Sequence, residues 1–270
     1  MVEFERRWLQ TDRHTSISYL DSGAAGSGVV ILHGLAGSST EFITTARALP
    51  EHRVLLIDQR GHGHSTRLPC DVSRDAFVAD VVRVIEAEFN QPVALVGQSM
   101  GAHTAMLVAA TRPDLVRQLV ILEGDAGSGT SDDHRKLGEF FRSWPVPFPD
   151  LDSAAQFLGD DPLAVAWTTD LEQHADGLRP RFDPDVMVAT IEAVAIPRWQ
   201  EWEHVTAPIL VAYAQNGMFT DAQKNEFTRR GHNVSRVDLP GGSHDAHLDA
   251  TDSWIHVLKD FLKTDPARAR

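Results

Sequence analysis

Five short runs of apolar residues, each closed by turn formers, set the rhythm of the chain: GVVILHG at 28–34, RVLLID at 53–58, PVALVG at 92–97, LVILEG at 119–124 and PILVAYA at 208–214. They do not alternate with polar residues, so both faces of each run are expected to be buried, as in parallel strands covered on either side. Between them the spacing turns helical. Over 73–90, Phe77, Val78, Val81, Val82, Ile85 and Phe89 fall on one face, with Asp80, Arg83 and Glu86 on the other. Near the C-terminus Trp254, Ile255, Leu258, Phe261 and Leu262 repeat the pattern. Strands alternating with helices predict an α/β fold: a mostly parallel central sheet flanked by helices, with ligands near the carboxyl ends of the strands.

The alternation lapses once. From Gly124 to Val205 no buried strand is predicted, and about 80 residues is too long for a loop within a compact domain. The expected organisation is a core domain over 1–123, an inserted helical cap over 124–205 and the remainder of the core over 206–270. Trp144, Trp167, Trp199 and Trp202, four of the six tryptophans, lie in the insertion. Most are expected to pack rather than line a pocket, because large aromatics stabilise small cores. The last residues, KTDPARAR at 263–270, read as a frayed tail.

Composition narrows the function classes. Hydrophobic residues at 42% and charged residues at 23% describe an ordinary globular chain, not a disordered or repetitive one. The 25 basic and 38 acidic side chains give a formal charge of −13, which disfavours nucleic acid and anionic membrane as partners. The N-terminal MVEFERRWLQ lacks an apolar segment and no stretch approaches the roughly 20 apolar residues of a membrane span, so a cytoplasmic location is expected. A single cysteine, Cys70, excludes an internal disulfide and a multi-cysteine zinc site.

The strand ending at Gly97 runs directly into Gln98-Ser99-Met100-Gly101 and then a helix. A G-x-S-x-G turn between a strand and a helix is the setting of a nucleophile elbow. The turn strains the serine backbone, and the residues two before and two after it must lack side chains to avoid a clash. Ala102 and Ala105 let the helix approach the sheet. The helix start leaves the Met100 N–H free to face an anion beside Ser99. The strand over 29–33 ends in His33-Gly34, and the turn after it directs the Leu35 N–H inward as a second oxyanion donor.

With LLIDQRGHGHS at 55–65 added, the chain resembles the α/β-hydrolase superfamily, whose members commonly carry an HG loop, a D-x-R-G-x-G-x-S loop and the elbow in that order. The resemblance spans nearly the whole chain and is weakest across the insertion, where family members carry a variable cap. It implies a general base after the last strand, where VDLPGGSHDAHLDA supplies His244, followed by Leu248 and Asp249; His247 is the competitor. It also implies an acid. Most relatives place an Asp after the strand read here at 208–214, in a G-x-x-D arrangement, but this chain has Ala214-Gln215-Asn216-Gly217, and Asp221 reads better as a helix cap. Some branches, including certain haloalkane dehalogenases and fungal zearalenone lactonases, keep the acid at the end of the preceding strand. Here that strand ends in VILEGD. Glu123, 24 residues after Ser99, is favoured as the acid, with Asp125 as the alternative.

Ser99, His244 and Glu123, with the Leu35 and Met100 N–H groups, would hydrolyse a carboxylic ester or lactone with an apolar part through an acyl-enzyme. A carbon–carbon bond hydrolase or cofactor-free lyase, and a small-molecule receptor without turnover, are the alternatives. His62-x-His64 is not followed by the Asp and His of zinc hydrolases, and no phosphate-binding or dinucleotide glycine motif is present. No cofactor and no metal are therefore expected. Substrate identity and oligomeric state are not legible in the pattern.

Overall fold

In the computed structural model, which describes residues 3–264, the five apolar runs all become strands of one eight-stranded sheet. In chain order the strands are β1 (Glu5–Gln10), β2 (Ser16–Asp21), β3 (Ser27–Leu32), β4 (His52–Ile57), β5 (Val93–Gln98), β6 (Val116–Leu122), β7 (Glu172–His174), β8 (Gly177–Arg179), β9 (Ile209–Asn216) and β10 (Val234–Ser243). The sheet order is β1-β2-β4-β3-β5-β6-β9-β10. Neighbours from β4 to β10 pair in parallel, whereas β2 runs antiparallel to both β1 and β4. From β3 the chain moves one way to β4 and then crosses back to β5. The carboxyl ends of β3 and β5 therefore flank the topological switch point, where an open α/β sheet leaves its ligand crevice.

One face of the sheet is covered by helices Arg74–Glu88, Met100–Thr111, Trp199–His204 and Asp221–Arg230, and the other by Ile43–Arg47 and Thr251–Lys263. Helix Met100–Thr111 is buried over most of its length. Small residues make this possible: a Cβ on Gly124 would meet the Ala102 methyl at 2.6 Å. In helix Arg74–Glu88 the buried stripe is Phe77, Val81, Val84 and Ile85. Asp80, assigned to the polar face, is also buried, because Arg60 pairs with it at 2.6 Å and Thr11 donates to it. The partner comes from another loop, so spacing alone could not reveal it.

Between β6 and β9 lie helices Ser131–Arg142, Leu151–Leu158, Pro162–Thr169, Pro184–Val194 and Trp199–His204, together with the small β7–β8 hairpin that the pattern did not predict. Phe141, Trp144, Phe148 and Phe182 form a buried aromatic cluster that also takes in Ala36 from the loop after β3. Trp202 instead stacks on Phe227 at 4.0 Å and donates to its carbonyl, so it packs with the sheet-covering helices. Trp167 sits at the seam and donates to Ala36 O at 3.0 Å. No helix among the described residues is long and apolar enough to cross a membrane. Residues 265–270 of the expected tail lie outside the described residues, and Lys263 still belongs to the last helix.

Candidate active site

Ser99 stands between β5 and helix Met100–Thr111 with φ 53° and ψ −118°, a left-handed conformation unusual for a residue with a side chain. The flanking glycines hold it there. A Cβ on Gly97 would lie 2.5 Å from Ala102 N and nearer still to the Gly101 carbonyl, and one on Gly101 would lie 2.5 Å from His33 O. Turn, helix and β3 thus meet with no room for another carbon. Met100 is the first helical residue, so its N–H has no carbonyl one turn behind it.

The loop after β3 is braced from below. Gln59 N–H donates to His33 Nε2 at 3.0 Å, which leaves the proton on Nδ1, and Nδ1–H donates to Gly34 O at 2.7 Å. Gln59 Nε2 donates to His33 O at 2.7 Å. Beyond Gly34 the chain turns through Ala36 at φ 58°. Leu35 and Met100 pack in one apolar cluster with Phe77 and Val194, so the two expected oxyanion donors come from neighbouring residues.

Glu123 follows β6 and is fully buried. Its Oε1 accepts from Ala214 N–H at 2.7 Å, and its Oε2 accepts from Met218 N–H at 3.1 Å and lies 3.2 Å from His244 Nδ1. A buried carboxylate needs such donors. Gly217 faces the same group: a Cβ there would lie 2.5 Å from Glu123 Cδ and closer to both oxygens. The glycine standing where most relatives carry the acid leaves the space that the Glu123 carboxylate fills. Gln98, next to Ser99, donates from Nε2 to His244 O at 3.0 Å and ties the histidine loop to the elbow.

The competing residues lie elsewhere. Asp125 accepts from Gly127 N–H at 2.9 Å and closes a turn. His247 is buried, stacked on Phe42 at 4.3 Å, with Nε2 3.4 Å from Glu41 Oε2. Burial pulls His247 down and pushes Glu41 up, so both groups are driven towards their neutral forms. Asp221 is not the cap of its helix: Thr220 takes that place and forms a capping box with Gln223, with Asp221 in the first turn. His62 is buried with Nδ1 2.9 Å from Arg60 O, and Cys70 is an exposed free thiol. Among the described residues no group of three or more His, Cys, Asp or Glu side chains is placed to hold a metal ion. Two residues carried no such expectation from the sequence: Gln98, which tethers the His244 loop, and Gly217, which walls the Glu123 carboxylate. The only signal for Gly217 was its departure from the G-x-x-D pattern.

A family model for the alpha/beta hydrolase fold matches residues 29–153. The chain is 38% identical to an sn-1-specific diacylglycerol lipase of Xenopus laevis, over 94% of this chain and 88% of the lipase. It is 28% identical to an enzyme of the same name from Mus musculus, over 92% and 84%. Among solved structures, an E-2-(acetamidomethylene)succinate hydrolase superposes with a TM-score of 0.85 at 21% identity, covering 97% of this chain and all of that one. An enol-lactonase from Burkholderia xenovorans superposes at 0.78 and 20%, over 95% of this chain and all of the lactonase. Sheet order, elbow and full-length similarity agree, and the chain belongs to the α/β-hydrolase family.

Proposed function

We propose that the protein is a serine hydrolase that cleaves carboxylic esters, lactones included, through an acyl-enzyme on Ser99. The observation that carries the reading is the 3.2 Å contact between His244 Nδ1 and the buried Glu123 carboxylate, in a loop tied to the residue before the strained Ser99. With Nδ1–H directed at Glu123, the Nε2 lone pair is left for the serine proton. Ser99 Oγ attacks the substrate carbonyl, His244 takes its proton, and the Leu35 and Met100 N–H groups hold the oxyanion. His244 then protonates the leaving alcohol, and water releases the acyl group.

Leu35, Val72, Phe77, Met100, Ile191 and Val194 pack as an apolar cluster around the first residue of the elbow helix, an apolar environment that is compatible with a substrate carrying an apolar acyl part. The lipases among the relatives are named for glycerol esters, so diacylglycerol belongs in the first substrate panel. In this reading the stretch from Gly124 through helix Pro184–Val194 acts as a cap over the site, seated on the loop after β3 through the aromatic cluster and the Trp167 hydrogen bond, whereas Trp199–His204, placed in the insertion by the sequence, packs on the sheet with the core.

The test is steady-state turnover of p-nitrophenyl esters of short and medium acyl length, of lactones and of diacylglycerol, with S99A alongside. Turnover should fall by about 10⁶ in the variant, to the assay floor, and a fluorophosphonate should label Ser99 in the wild type. A folded wild type that neither turns over nor takes the label would overturn the proposal, leaving a carbon–carbon cleaving enzyme or a receptor.

A further inference from the structure

Arg74, the first residue of helix Arg74–Glu88, is 4% exposed. Its Nη2 donates to Thr104 Oγ1 and, at 3.4 Å, to Met100 O, and its Cζ lies 4.4 Å from the Phe77 ring centre. Nε and Nη1 have no hydrogen-bond partner, and no carboxylate of the described residues lies within 4.0 Å of the guanidinium. The surroundings do not neutralise it. His103 is buried beside it with both ring nitrogens unpartnered, and burial, with Arg74 and Arg198 adding to it, holds that imidazole neutral. Arg198 is another cation, itself engaged with Glu201 at 2.5 Å. Burial pulls Arg74 down only to about 9, so its charge persists at neutral pH.

A buried ion without a counter-ion is costly, and an apolar side chain of similar volume would pack there at less expense. Phe77, beneath the guanidinium, belongs to the apolar cluster that contains Met100 and against which Leu35 packs, the two residues whose N–H groups hold the oxyanion in the reading above. Thr104, which accepts from Arg74, donates to Gln59 Oε1 at 2.8 Å, and Gln59 braces His33 at the root of the same loop. When Ser99 Oγ bonds to the carbonyl carbon, its proton passes to His244 and the carbonyl π pair moves onto oxygen, placing a full negative charge at those two donors.

We infer that Arg74 serves that charge: its unneutralised guanidinium, hydrogen-bonded to Met100 O and set over the Phe77 ring, stabilises the oxyanion through space without touching substrate. The inference rests on the serine mechanism proposed above. With an effective dielectric of about 20, a unit charge at a separation on the order of 10 Å alters the stability of an anion by on the order of tenfold.

The experiment compares wild type, R74K, R74Q and R74M in turnover, in affinity for a trifluoromethyl ketone that adds to serine as an anionic adduct, and in thermal midpoint. R74M should lose on the order of tenfold in kcat with little change in KM, and lose the same factor in inhibitor affinity. Its thermal midpoint should be no lower than that of the wild type. R74K, which keeps the charge but loses the planar fork, should stay within about threefold of wild type in both readouts. R74Q should follow R74M, and it supplies the neutral comparison if R74M does not fold. Neutral variants with wild-type turnover, neutral variants with reduced turnover but unchanged inhibitor affinity, or an R74K as impaired as they are, would each overturn the inference. A wild type that takes no fluorophosphonate label at Ser99 would remove the serine mechanism and this inference together. Labelling with charge-independent turnover would remove only the inference.

Discussion

Replacing Gly217 by alanine adds a single carbon where the Glu123 carboxylate already sits. The new Cβ would lie 2.5 Å from Cδ and nearer to both oxygens, whereas ordinary van der Waals contact begins at 3.4 Å. Either the carboxylate or the loop after β9 must retreat by about an ångström, the difference between those two figures. The hydrogen bond to His244 starts at 3.2 Å, and a retreat of that size breaks it. The bonds from Ala214 and Met218 N–H would be strained together with it. Losing the acid of a serine triad altogether costs about 10⁴ in kcat, and a displaced acid retains part of its effect, so G217A should lose roughly 10² to 10⁴ in kcat. KM should change little, because nothing at 217 is expected to touch substrate. Initial rates on a p-nitrophenyl ester, with circular dichroism to establish folding, measure this directly. In E123G the vacated space lies in front of residue 217, so E123G/G217D should regain part of the activity that E123G loses. A folded G217A within twofold of wild type would refute the account of how the acid is held.

Glu123→Gln should lower kcat by roughly 10⁴, whereas Asp125→Asn, which touches only a turn N–H, should stay within a few-fold of wild type; the opposite pattern would move the acid to Asp125. Glu41, pushed up by burial from the ordinary carboxyl value of 4.5 to about 7, binds a proton more tightly folded than unfolded, so its contribution to stability is lost as pH rises from about 4.5 to 7. Asp170 and Asp245, also raised, act in the same sense, while His247, lowered to about 4, acts in the opposite one, so the readout is the difference between E41Q and wild type. In urea unfolding, that difference should shift in favour of E41Q by on the order of 3 kcal/mol between pH 4.5 and 7.5, and parallel curves would contradict it.

What the chain disclosed before folding depended on how local each signal is. The continuous apolar strands, β3 to β6 and β9, and the elbow are written in consecutive residues. The N-terminal pair β1–β2 was not read, because β1 is a partly exposed edge strand and β2 is a short run of mixed polarity. Residues whose roles depend on distant partners stayed hidden. Asp80 needs Arg60, Gly217 needs Glu123, and Gln98 needs a loop 146 residues away. Glu123 was partly legible, because a carboxylate closing an apolar strand implies a partner, although only the fold brings His244 to it. Arg74 is indistinguishable in sequence from any cation opening a helix, since the lack of a counter-ion is a property of three-dimensional surroundings.

The hydrogen bond from Trp167 to Ala36 O bears on how freely such enzymes can exchange their parts. Ala36 holds a left-handed backbone conformation without being glycine, and conformations of this kind persist where neighbours over-determine them. One of those neighbours belongs to the segment between β6 and β9, so the shape of the turn after β3 is set jointly by two stretches of chain 131 residues apart. An insertion transplanted from a relative would bring a new pocket and, unless it carried an equivalent donor, would release the turn that presents Leu35. With Leu35 in the oxyanion role proposed above, grafting for new specificity would then lower the rate for every substrate. Trp167 and the rim of Phe141, Trp144 and Phe182 around it form the smallest unit that has to travel with the turn.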